Sequence, residues 1–200
     1  MPRLSVVVPH WPIDEEVDAA LADCLASLPH DCEKLVIVNE GTGYARNVNR
    51  GLRLAQGEYV AVVGNDTRVV GGSVYDLCVP NVVTSPEVLG KPGVESGGFH
   101  GTFWVAPRAV LDRVGLLDEG FAGAFFEDDD YLARLRQAGV ETKQVRSVRV
   151  ESRRIGLTMS KVPELARKWY GDNQRRFEEK WGWVPPVTDP DLDDDPDRSG

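Results

Sequence analysis

The chain has 200 residues, 42% of them hydrophobic, and a formal net charge of −9 from 23 basic and 32 acidic side chains. That is the length of one α/β domain with a tail, apolar enough for a packed core and too acidic for bulk attachment to nucleic acid. No apolar stretch approaches the roughly 20 residues of a transmembrane helix. Cys24, Cys32 and Cys78 show no CxxC spacing, so small buried thiols are expected rather than a disulfide scaffold or a zinc knuckle. With no secretory pattern after Met1-Pro2-Arg3, the expected compartment is the cytoplasm.

Two periodicities alternate at the start. Leu4–Val8 reads as a short strand stopped by Pro9. Asp14 can then cap a helix with Val17, Leu21, Cys24, Leu25 and Leu28 on one stripe. Leu35–Val38 is a second apolar run, followed by the turn Asn39–Gly43 and a helix carrying Ala45, Val48, Leu52 and Ala55. Tyr59–Val63 is a third run, closed by Gly64-Asn65-Asp66-Thr67. Strands apolar throughout imply burial on both faces, in a parallel sheet sandwiched between helices. Ligands of such sheets bind beyond the carboxyl ends of the strands, here the loops 9–12, 39–43 and 64–67.

Residues 71–100, punctuated by glycine and proline, are expected to form a loop-rich connection. Phe103–Ala106 predicts a strand, Pro107–Val114 a short helix, and Glu127–Gln137 a helix stopped by Gly139. Thr142–Glu151 predicts a further strand. Val162–Lys180 predicts a long basic helix with Leu165, Trp169 and Phe177 on its apolar side. Residues 186–200 hold six aspartates against one arginine, a charge of −5. The expected organisation is therefore one folded domain, 1–183, and a disordered acidic tail, 184–200.

Asp66, at the ligand edge, could hold a hard divalent cation or simply close its own turn. Glu127-Asp128-Asp129-Asp130 exceeds what a helix dipole needs. Four adjacent carboxylates repel, which raises some of their pKa values, and one or two can face a cleft as general bases. Lys143–Arg176 carries ten basic residues against three acids, a surface for phosphate, membrane or plain solvent, with Arg153-Arg154 its most suggestive pair. Gly41-Thr42-Gly43 lacks the third glycine of a dinucleotide fingerprint and follows the second strand rather than the first. No GxxxxGK[ST], HExxH or GxSxG occurs, and His10, His30 and His100 are dispersed enough to be structural.

Together these residues resemble the family-2 inverting nucleotide-sugar glycosyltransferases of the GT-A fold, nearest to their rhamnosyltransferase-like subset. Leu4-Ser5-Val6-Val7-Val8-Pro9 resembles the family's opening "SVVIP" strand, and Val36–Thr42 its "IVVDNGS" turn. Gly43–Leu52 resembles the "GxAxxxNxGL" helix. Val114–Phe121 with Phe126–Tyr131 resembles "vGgFDExF…yEDxDl", and Arg176–Gly182 the "yFxxKWG" helix end.

The resemblance implies an α/β, Rossmann-like, mostly parallel sheet flanked by helices in a single domain. It implies a donor site of Pro9, Trp11 (against the nucleobase), Asn39, Glu40, Arg46, Asn49, Asn65, Asp66 and Arg153. Asp66 matches the last acid of the metal-binding DxD motif, Gly64 standing where the first acid would be. Glu151 is the nearest substitute for the family's late metal-binding histidine. Glu127-Asp128 matches the acidic pair whose second member is the catalytic base. The implied cofactor is Mn²⁺ or Mg²⁺, the donor a nucleoside-diphosphate sugar, and the acceptor a glycan, a lipid-linked sugar or a protein, with peripheral membrane contact allowed. The incomplete metal motif keeps a non-catalytic nucleotide-sugar or carbohydrate-binding module open as an alternative, and a nucleotidyltransferase as a more distant one.

Overall fold

The computed structural model describes residues 3–89, 98–152 and 156–185. Its first half follows the sequence pattern. Strand β1 (Leu4–His10) leads to α1 (Glu15–Ser27), β2 (Glu33–Val38), α2 (Tyr44–Leu54) and β3 (Tyr59–Val63). Asp14 caps α1 by accepting a hydrogen bond from the Val17 amide at 3.0 Å. Strand β1 does not stop at Pro9. Pairing with β3 ends at Val7, opposite Val62, while pairing with β2 runs on to His10, so the missing proline N–H lies past the last β3 partner.

Strand β4 (Arg68–Gly71) follows the 64–67 turn, and the region expected to be loop contains a single 3-10 turn at Val74–Leu77 and the eight-residue strand β5 (Val82–Leu89). Pro86 masked this strand. It sits where the register with its neighbour shifts, a place a strand tolerates proline. There follow β6 (Phe103–Pro107), α3 (Arg108–Val114), α4 (Glu127–Gln137), β7 (Glu141–Glu151), the short α5 (Leu157–Ser160) and α6 (Pro163–Trp181).

All seven strands form one sheet in the order β2-β1-β3-β6-β5-β7-β4. The pairings run parallel at β1–β2, β1–β3 and β5–β7 and antiparallel at β3–β6, β5–β6 and β4–β7, so β2, β1, β3, β5 and β7 share one direction and β6 and β4 oppose them. The sheet is thus mostly parallel and flanked by helices, as expected.

Alternate side chains feed opposite faces. Val7, Ile37, Val62 and Trp104 pack against α2, α3 and α4, while Val6, Val8, Val63 and Phe103 pack with Cys24 and Leu28 of α1 and with Leu77. Helix α2 sits so close that a Cβ on Gly51 would fall 2.2 Å from the Val7 side chain. One expectation fails at the margin. β2 is an edge strand, and Val36 and Val38 remain 36% and 45% exposed, on the face opposite Ile37, which packs toward α2. The predicted tail from 186 onward lies outside the described residues, whereas Val184 still packs on a third cluster built from Phe121, Phe126, Ala166, Tyr170 and Phe177. Among the described residues no helix is long and apolar enough to cross a membrane.

Candidate functional site

The carboxyl ends of β1 and β3 are tied together. Asn65 donates to His10 Nδ1 at 3.0 Å, and His10 Nε2 lies 3.0 Å from Asp18. His10 therefore accepts at Nδ1 and donates from Nε2, a structural role at 5% exposure. Beside it, Asp66 Oδ2 accepts the Leu157 amide at 2.6 Å, and Asn65 is 3.4 Å from the Thr158 hydroxyl, which docks α5 onto the end of β3.

The acidic run meets this edge through one backbone segment. Gly64 N donates to Thr102 O at 2.8 Å, and a Cβ on Gly64 would sit 3.3 Å from Asp66 Oδ1 and 3.5 Å from Thr102 O. In the same segment, a Cβ on Gly101 would fall 1.9 Å from Asp128 Oδ2. Asp66 and Asp128 thus both lie near the Gly101–Thr102 backbone.

The four carboxylates have separate environments. Asp130, wholly buried, pairs with Arg134 at 2.9 Å and Lys180 at 2.6 Å and accepts from the Trp181 indole at 3.0 Å. Glu127 is 6% exposed and its Oε2 has no partner. Burial, then the charge of Asp128, hold its pKa well above the usual carboxylate range. The same two causes push Asp129 up to about 8. Glu127 and Asp129 thus both hold a proton more tightly than an ordinary carboxylate, and both feel the charge of Asp128, half-buried beside Gly101.

Three further side chains complete the rim. The Tyr44 phenol, at the start of α2, is raised well above its ordinary value by burial and then by the charges of Glu127, Asp128 and Asp66, so all three carboxylates lie within electrostatic reach of one hydroxyl. Trp169 of α6 lies on Gly123, where a Cβ would fall 2.0 Å from its indole, and its ring centroid is 6.3 Å from that of Trp11. Gly123 O accepts the Tyr44 amide at 2.6 Å, which joins α2 to this loop. Asn173 holds the same loop. It donates to the carbonyls of Ala122, Ala124 and Phe125 and accepts from the Ala122 amide, all at 2.8–3.0 Å. Phe125 and Phe126 there have φ of 80° and 67°, strained values for aromatic residues that cost about 1–3 kcal/mol each and persist only where the surroundings over-determine them.

The other residues singled out by sequence are scattered. Pro9 is buried within β1, and Asn39 Oδ1 accepts from the Gly41 and Thr42 amides, closing its own turn. Glu40 and Arg46 line a groove of about 220 Å³ with Val38, Thr42, Arg50 and Arg53, on the outer side of α2. Asn49 corrects the expectation that it faces a donor. It is 1% exposed, and its amide is engaged by Leu117 and Glu119, because its helix face packs toward the loop after α3. Glu151, at the end of β7, pairs with Arg68 at 2.7 Å across the β4–β7 register. Arg153 and Arg154 lie outside the described residues.

Among the described residues no group of three or more His, Cys, Asp or Glu side chains could hold a metal ion. Of the two residues that the resemblance assigns to a metal, Asp66 offers hard oxygen at this edge, with Oδ2 already accepting the Leu157 amide. That donor set suits a Mg²⁺- or Mn²⁺-like ion which brings most of its ligands as phosphate oxygens and water, and does not suit a resident protein-caged ion.

Neither a protein-family model nor a curated protein sequence matches the chain. Solved structures do. The mannosyltransferase PcManGT from Pyrobaculum calidifontis, solved with GDP-Man and Mn²⁺, aligns with a TM-score of 0.58 at 15% identity, over 96% of this chain and 68% of that one. Drosophila β1,4-galactosyltransferase 7, in complex with manganese, UDP-Gal and xylobiose, gives 0.56 at 15% identity over 72% of this chain. S. aureus TarS 1–349 gives 0.55 at 14% over 84%. The fold is that of the GT-A glycosyltransferases. The chain spans 65% of the galactosyltransferase structure's length.

Proposed function

We propose that the protein is an inverting glycosyltransferase that moves a sugar from a nucleoside diphosphate to an acceptor hydroxyl, at the rim shared by Asp66 and Asp128. The observation that carries this reading is that two carboxylates from distant parts of the chain lie near one backbone segment at the carboxyl edge of the sheet. It is supported by neighbours of the same fold whose structures contain nucleotide sugars and manganese.

In this reading Asp128, half-buried beside Gly101, takes the proton of the acceptor hydroxyl as the oxygen attacks the anomeric carbon. Attack from the face opposite the diphosphate inverts that carbon in a single displacement. Burial and the charge of Asp128 favour the protonated form of Glu127, which makes it the weaker candidate for the base. Trp11 lies against the nucleobase, with Asn39 beside it at the end of β2, Glu40 and Arg46 in the groove along α2, and Asn65 holding the strand ends in place. A divalent ion arriving with the donor would take one ligand from Asp66 and neutralise charge on the departing diphosphate. The acceptor is a glycan, a lipid-linked sugar or a protein, and the compartment is the cytoplasm.

The test is turnover of a panel of nucleoside-diphosphate sugars with Mn²⁺ or Mg²⁺, read as released nucleoside diphosphate, with thermal shift on the same panel. Metal-dependent release from at least one donor is the expected result. Saturable donor binding without release from any donor would instead establish a binding module, the reading favoured by Gly64 in place of an acid and by the Arg68 pair on Glu151.

A further inference from the structure

Helix α4 begins without a local signal. Its N-cap position is Phe126, in a left-handed conformation and with no side-chain cap bond, so the residues before Glu127 do not fix where the helix starts. A start displaced by one residue would turn Asp128 by about 100° around the helix axis, away from Gly101. What fixes the start is non-local. Asn173, 2% exposed in the middle of α6, binds both polar groups of Ala122 and the carbonyls of Ala124 and Phe125, ending two residues before Glu127. Phe126 packs on Tyr170 and Phe177 with centroids 5.0 and 5.9 Å away, but ring contacts allow sliding whereas four directed hydrogen bonds do not.

We propose that Asn173 is a positioning residue for Asp128: its carboxamide sets the register of the 122–126 turn and thereby aims the Asp128 carboxylate at the Gly101–Thr102 edge. This rests on Asp128 being the base of the proposed transfer, and the experiment separates the two.

Asn173→Ala is compared with wild type and with Ser5→Ala, a control that removes an equally buried, multiply bonded polar group at the far end of β1. Hydrogen–deuterium exchange, which needs no activity, should accelerate in residues 122–130 of Asn173→Ala and not in those of Ser5→Ala. With an active donor, Asn173→Ala should lose about 30- to 100-fold in kcat, the cost of a small misplacement, with donor KM within about twofold of wild type. Ser5→Ala should keep kcat within about twofold at a similar loss of Tm. Unchanged exchange at 122–130, or a kcat for Asn173→Ala as well preserved as that of Ser5→Ala, overturns the assignment. If the wild type transfers no sugar at all, the glycosyltransferase reading fails, and the exchange pattern alone decides whether Asn173 holds the turn. Should Asn173→Ala not fold, Asn173→Ser, which keeps one hydroxyl at the site, takes its place.

Discussion

The two acidic contributors to the rim are held by different parts of the fold. Around Asp66 single polar links hold the loop after β3: Asn65 meets His10 and Thr158, and Asp66 accepts the Leu157 amide, while the buried Thr67 hydroxyl beside them has no partner. The turn before α4 is strained at two consecutive aromatic residues and carries a buried carboxyl oxygen without a partner. It is held from outside, by α6: Trp169 on Gly123, Asn173 on the loop carbonyls, Phe177 on Phe126, and Lys180 with Trp181 on Asp130. Strain supported by a scaffold marks a site where geometry matters more than local stability. The metal-side loop is held by β1 and by α5 some 90 residues later, the base-side turn by α6 some 50 residues later, and the strained aromatic backbone belongs to the second.

That contrast can be broken most sharply at the base. Asp128→Asn should lower kcat by about 10³-fold while thermal shift by the donor persists, because a missing general base typically costs 10²–10⁴; retained turnover would remove Asp128 from the chemistry. Asp66→Ala should act on binding instead, weakening metal-dependent donor affinity roughly tenfold or more, as judged by titration with and without Mn²⁺. Asp130→Ala probes the outside support. It leaves Lys180 and Arg134 beside a buried vacancy of charge, and a loss of about 3 kcal/mol, or roughly 6–12 °C in Tm, is expected.

The smallest effects concern pH, and the two sides of the turn should differ in sign. Asp129 has its pKa raised to about 8, so between its ordinary value near 4 and about 8 the folded state binds more protons than the unfolded one, and stability falls as pH rises. Asp129→Asn should therefore raise Tm by a few degrees at pH 8, and this gain should vanish near pH 4. At Asp118, burial pushes upward but is outweighed by Lys180, the Gly120 amide and Arg176, which bring the carboxyl down to about 2. Its contribution is present above pH 4 and lost as pH falls toward 2. Asp118→Asn should accordingly cost about 1 kcal/mol at pH 7, after allowance for solvent screening, and nothing near pH 2.

The β-α-β-α-β start, the Asp14 cap and the Gly139 stop of α4 were determined by sequence alone, because each depends on periodicity, caps and breakers within a few residues, and the family resemblance pointed to Asp66 and Asp128. Residue-by-residue roles were less legible. Asn49 has the composition of a surface helix residue, and only the packing of the Leu117 loop shows that it is buried; Glu151 reads as a free carboxylate until the β4–β7 register puts Arg68 opposite it. Strand β5 was hidden by a proline that an irregular register accommodates.

Helix α6 shows most clearly where local information ends. Leu165, Trp169 and Phe177 suggested its inner face, yet the buried stripe is Ala166, Tyr170, Asn173 and Phe177, spaced four, three and four, and Leu165 is 36% exposed. A polar residue in the middle of that stripe breaks the hydrophobic pattern, and nothing near it in the chain shows that it faces three carbonyls. Those carbonyls come from a loop whose strained backbone no sequence pattern encodes. Local chemistry chose the elements and their caps; where the Asp128 carboxylate ends up, and what holds it there, was decided only when distant segments met, since burial and hydrogen-bond partners are properties of the packed chain.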